Sequence, residues 1–517
     1  MSTAAITQTP AKAEPNRAVI TACVMLATIM QALDTTIANV ALPYMQGSLS
    51  ATQDQISWVL TSYIVSSAIA MPLTGFLTAR FGRKKIFLIA VGGFTFASLL
   101  CGAAQTLEQM VLFRLLQGIF GAPLVPLSQS VLLDSYPKER HGSAMALWGM
   151  GVMVGPILGP TLGGLLTESY NWRYVFYINL PVGILTMVGL SAALSESKLS
   201  RAPLDWTGFL TLSIFIGSLQ MMLDRGEQLD WFSSLEIIVE GAIAALAFYL
   251  FIVHTFTSRE PYIDPAMFRD RNYAVGVGFM FVVGMILFST LALQTPFLQS
   301  LMGYPVLQAG LIVAPRGLGT MVAMSIIGRL TGKVDPRVFL TLGLCLLATS
   351  LYETSGFTPD VDKWTIIRTG VMQGFGLGFL FVPLSTVAFS TLDPKYRVQG
   401  AALFSLIRNI GSSIGISIVI FLLGRSTQVM HAQLVEHVTP FNSALRDATV
   451  SKYWDLATTA GRASLDNEIT RQATIIAYAN DYYLMMALAL CCLPLVLLLS
   501  KAKKPQADGH SAAAALD

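Results

Sequence analysis

The sequence predicts an all-α polytopic membrane protein, with two six-helix bundles plus two inserted helices, making 14 transmembrane helices. Three observations predict it. Of 517 residues, 54% are hydrophobic and only 12% are charged, where a soluble domain averages about 25% charged. Apolar runs of roughly 18–28 residues recur between short polar clusters, each long enough to cross a hydrocarbon layer. Two stretches of the chain also echo each other on either side of its middle.

The runs place spans at 18–44, 54–79, 85–105, 108–133, 139–167, 172–194, 204–223, 234–256, 272–300, 306–331, 337–356, 364–391, 397–424 and 481–500. Lys and Arg set their orientation, because basic residues concentrate in cytoplasmic loops. Arg80, Arg83, Lys84, Lys85, Arg140, Arg269, Arg271, Arg329, Lys333, Arg337, Lys395 and Arg397 all fall on the side that holds the N-terminus. The opposite side holds few, and five of those (Arg425, Arg446, Lys452, Arg462 and Arg471) share one long loop. Both termini are therefore expected in the cytoplasm. The polar N-terminus has no cleavable apolar core, so no signal peptide is expected.

The echo is specific. Gln117-Gly118, Pro126-Leu127-Ser128 and Pro137-Lys138 recur as Gln373-Gly374, Pro383-Leu384-Ser385 and Pro394-Lys395. Gly75-Phe-Leu-Thr-Ala-Arg80 recurs as Gly328-Arg-Leu-Thr-Gly-Lys333. Each pair lies eight spans apart, whereas a plain duplication of six helices would give six. The seventh and eighth helices are thus read as an insertion between two halves. The expected layout is a tail at 1–16, a first bundle at 17–200 and inserted helices at 201–258. A second bundle follows at 259–500, with a loop at 425–480, and then a tail at 501–517. Parallel repeats around a central site are a common transporter plan.

The first span carries Asp34 near its middle. A charge at that depth costs about 2.5–3.5 kcal/mol on insertion scales. An ionisable residue there marks an ion or substrate pathway, so Asp34 is the candidate proton carrier. A packing hydrogen bond to a neighbouring helix is the alternative. In the second loop, Gly75, Arg80, Gly82 and Arg83 form a tight basic turn that anchors one face. In the fourth span, Arg114 needs a partner or a wet cavity. Asp34 is the acid deep in the same half, so direct or relayed coupling between them is expected. Bonding to freed carbonyls is the other reading. Asn39 and Gln117, together with Arg316 and Arg408 in the second half, are candidates for a substrate cavity or charge relay.

The fifth span holds Gly151, Gly155, Pro156, Gly159, Pro160 and Gly163. Glycine at every fourth position makes a smooth face for close helix contact, and proline removes backbone hydrogen bonds and permits bending. This is a packing seam, a hinge, or both. After the seventh span come Asp224, Arg225, Gly226 and Trp231. The 425–480 loop exceeds the length of ordinary connections, and its amphipathic stretches suggest a partly helical docking surface.

Much chemistry is excluded. The five cysteines fall in apolar segments and are expected as buried free thiols. No metal cluster, phosphate loop or nucleophile–base set stands out, so neither an enzyme nor a cofactor is expected. Nothing points to nucleic acid.

These motifs resemble the major facilitator superfamily. Residues 75–85 look like its motif A, Arg114–Gly121 like motif B and Gly151–Gly164 like its antiporter motif C. Leu33–Pro43, Asn171–Gly183 and Leu223–Phe232 are similar to the fourteen-helix drug:proton antiporters. The resemblance covers about residues 15–500. It implies a proton-motive-force exporter of lipophilic small molecules in a bacterial inner membrane, with a periplasmic membrane-fusion adaptor and an outer-membrane channel as partners. An importer or metabolite exporter on the same fold, and a non-transporting sensor or scaffold, are the rival readings. One position departs from the pattern: motif A has an acid where this chain has Ala79, so the cytoplasmic charge lock is missing or rebuilt.

Overall fold

A computed structural model describes residues 17–137, 140–196, 205–439, 442, 454 and 456–499. Both expected tails, and the middle of the 425–480 loop, lie outside the described residues. Fourteen helices long and apolar enough to cross a membrane are found among the described residues, counting one bent pair as one span. They are α1 (Arg17–Ser48), α2 (Trp58–Ala70, then Leu73–Phe81), α3 (Arg83–Ala103), α4 (Leu107–Ser135) and α5 (His141–Ser169). Then come α6 (Tyr174–Ala193), α7 (Trp206–Arg225), α8 (Leu235–Thr257), α9 (Arg271–Leu301) and α10 (Val306–Leu330). The chain closes with α11 (Pro336–Ser355), α12 (Lys363–Ser390), α13 (Arg397–Val435) and α14 (Thr459–Cys491).

Local chemistry explains the boundaries and bends. Thr106, Asp205, Asp270, Asp335, Asp362 and Thr458 each accept a backbone N–H at a helix start, the ordinary N-cap device. The two parts of α2 meet at 55°, where Pro72 withholds an N–H from the ladder. α9 ends in a π-helical turn, Phe297–Leu301, directly after Pro296.

Helix packing follows the repeat. α1 lies against α5 as α9 lies against α13, and α2 against α4 as α10 against α12. α5 packs on α10, joining the halves along a seam. α7 and α8 pair with each other, and α7 touches both α2 and α13. It is tied to α13 through Ser413 Oγ to Gln220 Oε1 at 2.8 Å and Ser417 Oγ to the Leu223 carbonyl at 3.0 Å.

The last two spans differ from the sequence expectation. α13 continues past 424 to Val435 and α14 begins at Thr459 rather than 481. At 1.5 Å per residue these 39- and 33-residue helices are about 58 and 50 Å long. A hydrocarbon core is about 30 Å thick, so both helices continue well beyond it. His431 and Asp466 bridge the projecting parts at 3.0 Å. Hydropathy alone hid these extensions because their surfaces are polar. Two cysteines also depart from expectation: Cys345 and Cys491 are free but exposed, because they sit on outward faces of α11 and α14.

Candidate functional site

The site is built around the middle of α1. Glycines on α5 let the two helices approach until no Cβ would fit between them. A Cβ at Gly155 would stand 2.8 Å from the Ala32 Cβ, and one at Gly163 would stand 3.0 Å from Ile37 Cγ1. Thr36 seals the contact by donating its hydroxyl to the Gly155 carbonyl at 2.9 Å. Gly151 and Gly159 continue the stripe against Met25 and Thr36. Pro156 and Pro160 lie inside α5, which runs unbroken as one helix.

This seam turns Asp34 inward, where it has 0% exposure. Its Oδ2 accepts Arg114 Nη1 at 2.7 Å. Its Oδ1 accepts Gln117 Nε2 at 2.8 Å and Asn179 Nδ2 at 3.0 Å. Arg114, equally buried, also donates Nε to the Val59 carbonyl at 3.0 Å and Nη1 to Gln117 Oε1 at 2.8 Å. Its guanidinium lies 4.3 Å from the ring centre of Tyr63 and 5.7 Å from that of Phe176. Asn179 reaches on to Ser98 Oγ at 3.0 Å, and Gln31 donates to the Tyr63 hydroxyl at 3.3 Å. Five helices (α1, α2, α3, α4 and α6) thus contribute to one buried polar network. A buried ion pair is tolerable only when its remaining donors and lone pairs are satisfied. Here they are met by amides, a backbone carbonyl and an aromatic face.

The structure therefore brings Asp34, Arg114 and Gln117 together and leaves Asn39 out. Asn39 is exposed and donates to the Thr35 carbonyl of its own helix at 3.2 Å, because it lies five residues on from Asp34 and faces away from the network. Asn179, Ser98 and Tyr63 were not singled out from sequence as site residues.

Arg316 and Arg408 lie in the other half. Arg316, on α10, is 4% exposed and donates Nη2 to Thr290 Oγ1 at 2.9 Å and to the Leu287 carbonyl at 3.4 Å. Arg408, on α13, has a 3.5 Å contact with Asn409 Oδ1.

The end of the bundle where α1 begins is closed by charge. Gly82, at φ 92°, makes the turn between α2 and α3 that only glycine adopts freely. Arg83 beyond it pairs with Asp134 at 2.7 Å, and Asp134 also holds Arg397 of the second half at 2.5 Å. Ser143 donates to the Gly328 carbonyl at 2.8 Å, and a Cβ at Gly75 would be 3.3 Å from Gln399 Cβ. Arg80 lies 5.9 Å from the Phe76 ring centre. With Ala79 where motif A has an acid, Asp134 at the end of α4 joins the two halves by charge. Nearby, burial disfavours the charge on Asp264. Even so, the Tyr396 hydroxyl, the Ala266 N–H, Lys395 and Arg269 together hold its carboxyl below the usual range.

At the opposite end, Asp224 accepts the Thr61 hydroxyl and Arg225 pairs with Glu236. Arg225 also lies 5.6 Å from the Trp58 ring centre. Gly226 accepts the Trp231 N–H at 2.7 Å, and Trp231 packs edge-on to Phe421 of α13, 5.8 Å between centres. This motif ties α7 and α8 to both halves.

A model of the major facilitator superfamily matches residues 24–416. The chain is 37% identical over 500 residues to "Fatty acid resistance protein FarB" of Neisseria gonorrhoeae, covering 95% of this chain and 97% of that one. It is 38% identical over 474 residues to "Multidrug export protein EmrB" of Escherichia coli K12, covering 91% and 92%. Its fold matches a crystal structure of the human organic anion transporter MFSD10 with a TM-score of 0.59 at 14% identity, over 92% of this chain and 100% of that one.

Proposed function

The chain belongs to the major facilitator superfamily, and from that premise we propose that it is a proton-driven exporter of lipophilic toxic compounds. It is a multi-pass membrane transporter and not an enzyme. The proposed setting is a bacterial inner membrane, with the charge-locked end in the cytoplasm. The buried Asp34–Arg114 pair carries the reading. The names of its relatives, multidrug export and fatty acid resistance, support a lipophilic cargo.

In the proposed cycle Asp34 is the proton carrier. Oδ1 already accepts two N–H donors while Oδ2 accepts Arg114 alone, so an arriving proton goes to the remaining lone pair of Oδ2 and, by removing the negative charge, slackens the hold on Arg114. Neutral Asp34 has lost its charged tie across α1 and α4, and the bundle favours a different packing. Proton release restores the tie. Cargo enters between the halves from the cytoplasm or inner leaflet when Asp134 lets go of Arg397, and leaves on the other side. The α5–α10 seam is the surface along which the halves rock. The projecting parts of α13 and α14 supply a helical surface for a periplasmic adaptor, which passes cargo to an outer-membrane channel.

The test uses proteoliposomes of neutral lipid holding purified protein and a fluorescent lipophilic dye. An imposed pH gradient should drive the dye against its own gradient, and an uncoupler should abolish the movement. Dye entering with the proton, in the same direction, would make the protein an importer. Dye movement indifferent to the gradient would remove proton coupling.

A further inference from the structure

The second half repeats the site of the first with its charges changed. Pro43-Tyr44-Met45-Gln46 of α1 recurs as Pro296-Phe297-Leu298-Gln299 of α9, at the same separation as Gly75 and Gly328. Ala70-Met71 of α2 recurs at that separation as Ala323-Met324 of α10. On this register Asp34 corresponds to Leu287 and Tyr63 to Arg316. The Gln117–Gln373 register makes Arg114 correspond to Gly370.

These equivalent positions meet in both halves. In the first, the Arg114 guanidinium bonds Asp34 and lies on Tyr63. In the second, Arg316 bonds the Leu287 carbonyl, and a Cβ at Gly370 would stand 3.7 Å from the Arg316 Cβ. One guanidinium is kept in each, but from the other helix of the pair. The carboxylate is not kept, because leucine replaces it.

The consequence is an uncompensated buried cation. Arg316 Nη1 is buried and has no hydrogen-bond partner. Arg408 adds a second positive charge against α9, where its Cγ is 3.2 Å from a Cβ built at Gly284, and its Nε is likewise unpartnered. Among the described residues neither arginine forms an ion pair. Asp481 on α14 is buried without an ion pair of its own. A buried charge left alone is costly, whereas a guanidinium meeting a carboxylate forms short, charge-assisted bonds.

We propose that Arg316 is the binding group for the carboxylate of an amphipathic substrate, which takes at Leu287 the place that Asp34 fills in the first half. The site rests on the exporter reading for its physiological role. Access comes through the seam: Gly317, the next residue, packs against Ile157 of α5, so parting α5 from α10 uncovers the flank of Arg316. Thr290 Oγ1 fixes the guanidinium from one side and leaves Nη1 for the ligand.

The experiment measures equilibrium binding, which needs no transport. Full-length protein in discs of neutral phosphatidylcholine is titrated with a long-chain fluorescent fatty acid, with its methyl ester, and with a lipophilic cation such as rhodamine 6G. Arg316→Gln should weaken the acid about tenfold or more, the equivalent of one charge-assisted bond, and leave the ester and the cation unchanged. Arg316→Lys should restore part of the loss. If Arg316→Gln elutes aggregated, Thr290→Val replaces it and should weaken the acid alone by severalfold. Equal loss for all three ligands would make Arg316 structural, and no loss for the acid would end the proposal. Discs containing an acidic phospholipid separate the two sources of an anionic head. If that lipid displaces the fatty acid through Arg316, the occupant is a headgroup phosphate and the substrate assignment falls. If binding follows the expected pattern while no gradient-driven export occurs, the site stands and the exporter reading fails. The converse result leaves the exporter and removes the site.

Discussion

Replacing Asp34 with asparagine changes one charge and almost no volume, so it isolates the pair. The carboxylate accepts three N–H bonds at 2.7, 2.8 and 3.0 Å. In the variant the side chain keeps one acceptor and turns an NH2 toward groups that are themselves donors. Arg114 retains the Val59 carbonyl, Gln117 Oε1 and the Tyr63 face. Breaking a buried pair costs about 3–5 kcal/mol. The retained partners reduce that to an expected loss of about 2–3 kcal/mol. Arg114→Gln should cost at least as much, since it strands the carboxylate. The double variant buries no lone charge, so its cost should fall short of the sum by about 2 kcal/mol, the signature of coupled residues. Denaturant unfolding in detergent reads the stabilities, and the dye assay in proteoliposomes reads transport. Gradient-driven transport should vanish in Asp34→Asn and stay absent in the double variant despite its recovered stability. Additive costs would show that the two residues are not coupled. Gradient-driven dye accumulation in Asp34→Asn would refute Asp34 as the proton carrier.

Other consequences follow from single contacts. Asn179→Leu removes the amide that links Asp34 to Ser98, and should lower coupled transport severalfold while dye binding in detergent is unchanged. Gly155→Leu places side-chain atoms where the Ala32 backbone stands, and should cost several kcal/mol, read as loss of the monodisperse peak on gel filtration. Asp134→Asn unfastens Arg83 and Arg397 together. Each partly exposed pair contributes up to about 1 kcal/mol, so the locked state should lose about tenfold in population. Hydrogen exchange of segments 75–83 and 397–402 should rise accordingly.

Most of the helical frame was readable from apolar run length, because a bilayer imposes one length on every span. The pairing of Asp34 with Arg114 was readable too, since two opposite charges at similar depth in one half have few other partners. Asn179, Ser98 and Tyr63 are neutral polar residues on separate helices, and only the crossing of α2, α3 and α6 at one level brings them to the carboxylate. Asn39 looked equivalent to Gln117 as a polar residue near the site, but helical rotation sends it outward. Asp134 carried no signal as a bridge, because its partners Arg83 and Arg397 begin two helices far apart in sequence. The polar ends of α13 and α14 passed for a loop, because hydropathy measures contact with lipid and not helicity.

The repeat allows the two halves to be interconverted on paper, and one substitution tests whether the correspondence is physical. Leu287 occupies the position of Asp34, is 6% exposed, and has its carbonyl 3.4 Å from Arg316 Nη2. Leu287→Asp should therefore supply the missing counter-ion. A buried carboxylate introduced elsewhere in an apolar helix would cost several kcal/mol and threaten folding. Here the unpartnered Nη1 of Arg316 offsets that cost, so the variant should fold with a stability within about 2 kcal/mol of the parent. The same pair should exclude an incoming carboxylate, so fatty acid binding should fall as far as in Arg316→Gln while the ester still binds. Adding Arg316→Gln to Leu287→Asp should then strand the new acid and destabilise the protein, the reverse of its effect alone on charge balance. If Leu287→Asp is as disruptive as an aspartate at lipid-facing Leu342, the two halves share helices but not a site, and Arg316 is held for packing. If it folds and loses only the acid, the first half has kept its carboxylate for the proton and the second has given up its own for the cargo.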